Sequence, residues 1–349
     1  MIYFDAGATT LQKPETVARA MYRAVGQLSS PGRGSYPATR AAEETDLQCR
    51  TLAAKLFGVA DPARVVFTSC ATHGLNIAVH TLVKPGGRVI ISGYEHNAVT
   101  RPLHAIPGVE LTVADGPLFD GEEMVRQFAA ALACPADAVI CTHVSNVFGF
   151  RLPVERIAAL CREKGVPFVL DASQSAGMLS VDMDALGAAF IAMPGHKGLY
   201  GPQGTGLLLC GAEPEPLLRG GTPGIAGLLE GLRFVEQQGV SRIAEHESRL
   251  TRQMAARLRD IPGAEVFYTP EDGAQTGVLS FRLDRWDCEA LGEALAAQGA
   301  AVRAGLHCAP LAHRTAGTLE TGTVRCSFSA FSTTAQVEHF ARILRQIVR

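Results

Sequence analysis

The chain lacks long apolar runs, an excess of charge of either sign, paired cysteines and internal repeats, and each absence removes a class of protein. No stretch approaches the roughly 18 apolar residues of a membrane span, so no membrane contact is expected. A formal net charge of −2 without blocks of like charge leaves no basic footprint for nucleic acid. The opening "MIYFDAGATT" has neither the basic segment nor the apolar core of a secretory leader, and the expected location is the cytoplasm. The nine cysteines stand singly, at 49, 70, 134, 141, 161, 210, 288, 308 and 326. Without CxxC or Cys/His spacing they make no zinc site. No metal is expected, and most of these thiols read as small, reduced core residues.

What is present is a long chain with a large apolar fraction. Its 349 residues, 47% hydrophobic and 19% charged, suffice for a sizeable core and two domains. From residue 50 onward strand-like and helix-like segments alternate. The β-rich runs are 64–70, 87–93, 138–145 and 167–173, and "PVERIAALCREKG" (153–165) carries apolar residues at three- and four-residue steps. Strands apolar nearly throughout and separated by helices predict an α/β unit whose mostly parallel sheet is covered on both faces. We divide the chain into an N-terminal arm (1–14), a large domain (15–235) and a smaller α+β C-terminal domain (236–349). A single long helical pattern over 223–259 links the two domains, and strand patterns follow at 265–270, 277–283, 300–305 and 323–329.

In open α/β sheets, chemistry gathers at the carboxyl ends of the strands, and four polar clusters fall there. "SCATHGLN" (69–76) turns from strand to helix, either as an ordinary helix cap by Ser69 or Thr72 or as a phosphate-binding helix start. "GYEHNAV" places His96 just past a strand end, where a lone His is more often structural. "VLDASQSAG" ends an apolar strand on Asp171, a carboxylate costly to bury without a positive partner. "MPGHKGLYGPQGTG" sets His196 and Lys197 among glycines. A lysine able to form a Schiff base and an aspartate able to pair with a pyridinium nitrogen are the two protein groups that pyridoxal phosphate needs. "GPQGTG" lacks the GK[ST] ending of a nucleotide loop. Finally, "RAGLHCAPL" (303–311) sets Arg303 five residues before Cys308, with His307 beside the sulfur, in a loop-like stretch.

Taken in order, "YFDAGATT", "SNVFGF", "DASQSAG", "GHKGLYGPQGTG" and "RAGLHCAPLAH" resemble class V, fold type I pyridoxal phosphate enzymes of the cysteine desulfurase and selenocysteine lyase group. The resemblance covers nearly the whole chain. It implies that Lys197 bonds the cofactor, Asp171 keeps its ring nitrogen protonated, Gln174 meets its phenolic oxygen and His96 stacks on the ring. It implies a phosphate site of Ala71, Thr72 and His196, with Thr222 contributed to the partner subunit. Asn146 and Arg303 would hold the substrate, the arginine by its carboxylate, and Cys308 would take the sulfur, helped by a pKa lowered by neighbours such as His307.

The implied reaction turns L-cysteine into L-alanine and leaves a persulfide on Cys308. L-selenocysteine is the alternative substrate, and a homodimer and a sulfur-acceptor protein are the implied partners. Another class V lyase or aminotransferase, and an inactive binding module on the same fold, are the rival readings. Departures from the family pattern are Ala6 after Asp5, Cys70 and His73 around the phosphate turn, Pro194 in place of a hydroxyl residue, and a shortened stretch at 217–228.

Overall fold

The computed structural model describes residues 1–32, 34–211 and 223–348. Its largest sheet has seven strands. In spatial order they are Val65–Thr68, Gly206–Cys210, Phe190–Pro194, Phe168–Asp171, Ala138–Thr142, Arg88–Ser92 and Glu110–Ala114. Gly206–Cys210 runs antiparallel to both of its neighbours, and every other pairing is parallel. The central strands are apolar because both faces are covered. Val139 and Cys141 pack on one side with Phe128 and Phe168, while Ala138 and Ile140 pack on the other with Val79 and Val99. The helix Val154–Lys164 stops at Gly165, whose φ of 66° makes the left-handed cap that glycine allows.

Parallel pairing puts the strand ends together. Thr142 is opposite Asp171, and Asp171 is opposite Ala192 in the strand that leads to Lys197. A second sheet is antiparallel, in the order Arg303–Gly305, Thr323–Ser327, Val278–Leu283 and Ala264–Phe267. Ile2–Tyr3 pairs with Ala300–Ala301, and Phe4 packs against Phe328 at 5.0 Å between ring centroids. The N-terminal arm thus starts in the C-terminal core and then crosses to the Lys197 loop.

The helical pattern over 223–259 is two helices rather than one, Pro223–Gln238 and Val240–Arg259. Gly239 lies between them at φ 81°, a conformation closed to a continuing helix. Of the nine cysteines, 49, 141, 161, 210, 288 and 326 are buried, whereas Cys134 and Cys308 are exposed and Cys70 is half-buried.

Candidate active site

Two glycines let the strand-end loops close on each other. Gly177, at φ 82°, would carry a Cβ 2.1 Å from the carbonyl oxygen of Gly198, and a Cβ on Gly198 would come 2.3 Å from that of Ala176. Side chains at either position would push the Lys197 loop away from the Asp171 loop. With both absent, Ala71, Thr72, His96, Asn146, Asp171, Gln174, His196 and Lys197 line one cleft.

Each of these groups has a definite state. Asp171 is buried, and its Oδ1 accepts the N–H of Ser173 at 2.9 Å. Lys197 is half-buried at the cleft floor; burial pushes its amine down to about 8 against the opposing pull of Asp171, with Arg325 and Arg303 lowering it further. His96 caps the helix Asn97–Ala105, its Nδ1 accepting from Ala98 N–H at 2.9 Å, and burial lowers it to about 4. It is therefore a neutral ring at physiological pH. Gln174 donates one amide N–H to Gly7 O at 2.9 Å, which leaves its second N–H uncommitted.

Of the two readings open for "SCATHGLN", the ordinary cap by Ser69 or Thr72 is absent. The helix Ala71–Leu82 has Cys70 at its N-cap with no side-chain cap, and Thr68 Oγ1 and His73 Nδ1 are occupied with Cys70 O and Ser69. The first N–H groups of a 12-residue helix are left facing the cleft. His196 adds a buried Nδ1 without a partner, and burial lowers this imidazole to about 4.

Arg303 and Cys308 are not among the cleft-lining residues; the C-terminal strands bring them alongside. Ala309 N–H bonds Leu306 O at 2.8 Å, with φ of 50° at His307 and 56° at Cys308, so the cysteine sits in a tight turn of left-handed residues. Asn146 Nδ2 donates to His307 O, and Asn97 N–H to Cys308 O, both at 2.8 Å. Cys308 stays exposed. The expected lowering of the Cys308 pKa by His307 finds no support in the arrangement of the ring. Its ring is buried, 3.0 Å from Thr323 Oγ1, and burial holds it well below the usual histidine range. A neutral imidazole offers the thiol no positive charge. Thr222 lies outside the described residues, as does the part of the shortened stretch at 217–222.

Three groups escaped the sequence reading. Arg325 is fully buried, donates to Asn146 O at 3.0 Å and to Asp5 Oδ1 at 2.7 Å, and keeps an unpartnered Nε. Asp5 itself binds both Arg325 and Arg303. Lys13 reaches Thr10 O at 3.0 Å and His196 O at 3.5 Å.

A mostly parallel α/β sheet with a lysine and an aspartate at adjoining strand ends, beside an uncapped helix start, defines a fold type I architecture with an anion site. The chain belongs to the aminotransferase class-V family, whose model matches residues 2–222 and 212–340. A probable cysteine desulfurase of Mycolicibacterium paratuberculosis is 33% identical over 386 aligned positions, spanning 99% of this chain and 55% of that protein. One from Methanothermobacter thermautotrophicus is 29% identical and is covered to 94%. The chain thus spans little more than half of the first relative, while both alignments run longer than its own 349 residues. Among solved structures, the apo cysteine desulfurase of Thermococcus onnurineus superposes with a TM-score of 0.90 at 27% identity, over 99% of this chain and 94% of that one.

Class V aminotransferases depend on pyridoxal phosphate, and the residues present fit that group. The uncapped helix start and the orphaned His196 Nδ1 suit a phosphate. The buried Asp171 suits a ring nitrogen, and Lys197, lowered to about 8, suits covalent attachment.

Proposed function

We propose that this chain is a pyridoxal phosphate-dependent cysteine desulfurase. It would convert L-cysteine and the Cys308 thiol into L-alanine and a Cys308 persulfide. The substrate C–S bond breaks, an S–S bond forms at Cys308, and the proton leaving the thiol is balanced by one gained at the substrate β-carbon. When bound, pyridoxal phosphate supplies an electron sink that draws density from the α-carbon and weakens the C–S bond.

The chain's own residues do the rest. Ala71, Thr72 and His196 would hold the phosphate, Asp171 would keep the ring nitrogen protonated, Gln174 would donate its second N–H to the phenolic oxygen, and the neutral His96 would cover the ring face. Lys197 Nζ anchors the cofactor and then moves the α-proton, a task its lowered pKa suits near neutrality. Arg325 joins Arg303 as a holder of the substrate carboxylate, because a buried guanidinium matches that anion in shape and charge. Asn146 binds substrate with its Oδ1 while its Nδ2 keeps the Cys308 turn in place.

The observation that carries this reading is the tethering of the exposed Cys308 turn, through Asn146 and Asn97, to the cleft that holds Lys197 and Asp171. A product assay tests it. Alanine should form from L-cysteine in the presence of a reductant that removes the persulfide, with L-selenocysteine run in parallel. Alanine from selenocysteine alone would make the protein a selenocysteine lyase, and pyruvate from cysteine would make it an eliminating lyase.

The same reading includes a homodimer and an acceptor protein for the sulfur. Tyr22 and Val25 on one helix and Leu47 on the next are exposed at 85%, 76% and 55%, and are the apolar side chains this proposal offers to a partner subunit. Sedimentation at micromolar concentration should give twice the chain mass, and a monomer would remove the dimer from the proposal.

A further inference from the structure

Arg303 and Arg325 are direct cross-strand partners in the antiparallel C-terminal sheet. Like charges directly opposite each other destabilise a sheet unless something neutralises them. Here the neutralising group is Asp5, from the opposite end of the chain. Its Oδ1 accepts from Arg325 Nη2 at 2.7 Å, and its carboxylate accepts from Arg303 Nε and Nη2 at 3.2–3.4 Å. The two bonds differ in kind. Arg325 is 2% exposed and also held by Asn146 O, whereas Arg303 is 45% exposed and its contacts are long. Asp5 cannot follow a moving partner. Phe4 N–H is bonded to Ala301 O at 2.9 Å, and Gly7 N–H to Ser327 Oγ at 2.8 Å, so the backbone is fixed on both sides. Gly7 is part of the fit, since a Cβ there would lie 3.1 Å from Ser327 Oγ and 3.4 Å from Arg325 Cζ.

Two cations on one anion leave one positive charge unmatched. We propose that Asp5 is a positioning residue that stands in for the substrate carboxylate: it fixes Arg325 permanently and holds Arg303 until an amino acid's α-carboxylate takes Arg303 over. The filled site then has two cations and two anions. Asp5 also sets specificity, because its charge leaves room for one carboxylate and makes the empty pair a poor trap for solution anions. This rests on the amino-acid substrate proposed above.

The test compares wild-type holoenzyme with Asp5→Asn while chloride replaces a bulky sulfonate anion at constant ionic strength. In the variant the arginine pair lacks its counter-ion, so chloride should compete with L-cysteine: KM should climb several-fold with chloride, with the effect in KM rather than kcat. The wild-type KM should stay flat. A second readout needs no turnover: chloride should raise the melting temperature of Asp5→Asn, and not that of the wild type, because an anion bound only to the folded state stabilises it. An Asp5→Asn protein as indifferent to chloride as the wild type in both readouts, or one losing kcat at constant KM, would overturn the proposal.

Should Asp5→Asn fail to fold, Arg303→Gln serves instead. It should raise KM for cysteine about tenfold or more, and an unchanged KM would remove Arg303 from the exchange. Failure of the functional reading looks different: the wild type would make no alanine from cysteine, whatever the melting temperatures do.

Discussion

Asn146 Nδ2 donates to the carbonyl oxygen of His307 at 2.8 Å, and Arg325 Nη1 donates to the carbonyl oxygen of Asn146 at 3.0 Å. Asn146, four residues past the strand Ala138–Thr142, thereby ties the cysteine turn and the buried guanidinium to the Lys197 cleft. Cys308, Arg325 and Lys197, the proposed sulfur acceptor, carboxylate holder and cofactor lysine, are thus linked through one residue, and their proposed roles can be separated by substitution.

Cys308→Ala should keep cofactor binding and cysteine binding, since Lys197, Arg303 and Arg325 are untouched, and should lose nearly all alanine formation. Cys326→Ala is the control. Cys326 is fully buried and its thiol is pushed well above the usual range by burial, so its loss should leave turnover close to wild type. Equal rates for Cys308→Ala and the wild type would make Cys308 a bystander.

The same position should show backbone strain. A non-glycine residue in the left-handed region costs about 1–2 kcal/mol, and Cys308 is held there at φ 56°. Cys308→Gly should therefore be more stable than Cys308→Ala by about 1 kcal/mol, read from denaturant midpoints. A glycine variant that is equal or weaker would show that the turn holds no such strain.

Lys197→Ala should fold and bind pyridoxal phosphate only reversibly, with nothing retained after borohydride reduction and peptide mapping. In the wild type, attachment needs the uncharged amine. Its rate should rise with pH to half-maximum near 8, the value to which burial lowers Lys197, rather than near the usual 10.5. Reduction that marks another lysine would overturn the assignment.

Glu247, which lines a small cavity together with Gln174 and Lys197, gives a stability test. It is fully buried on the helix Val240–Arg259, and burial raises its carboxyl from 4.5 to about 8. Between those values the folded protein holds a proton that the unfolded chain has lost, so this group's contribution is present at low pH and lost as pH rises. Glu247→Gln has no such proton. Its stability relative to the wild type should grow by about 1.4 kcal/mol per pH unit between pH 5 and 8 and then level off. A difference independent of pH would mean that Glu247 is charged in the folded state or reaches solvent.

The cleft was largely legible in the sequence because its groups lie at the ends of strongly patterned strands. Asp171 and Lys197 stand out as polar residues closing apolar runs, and parallel pairing brings such ends together. Strand Glu110–Ala114 went unread because it is a partly exposed edge, and Gly206–Cys210 because "GLLLC" has no strand-specific residues or alternation. Arg325 was missed although a signal existed. It interrupts "TVRCS", a strand buried at every position, and the argument applied to Asp171, that a buried charge needs a partner, applies equally there. That the partner is Asp5, 320 residues away, follows only from the fold. The neutrality of His307 was likewise invisible, since adjacency to Cys308 in sequence says nothing of which way a ring turns.

The central claim is that sulfur leaves cysteine onto Cys308, and a single turnover tests it most directly. Holoenzyme mixed with one equivalent of L-cysteine, without reductant, is trapped by alkylation and mapped by mass spectrometry, while alanine is counted in the same sample. The expected result is one added sulfur atom on the peptide carrying Cys308, equal in amount to the alanine released, and none on the peptides of the other eight cysteines. Alanine released with Cys308 unmodified, or the added sulfur on another thiol, would contradict it.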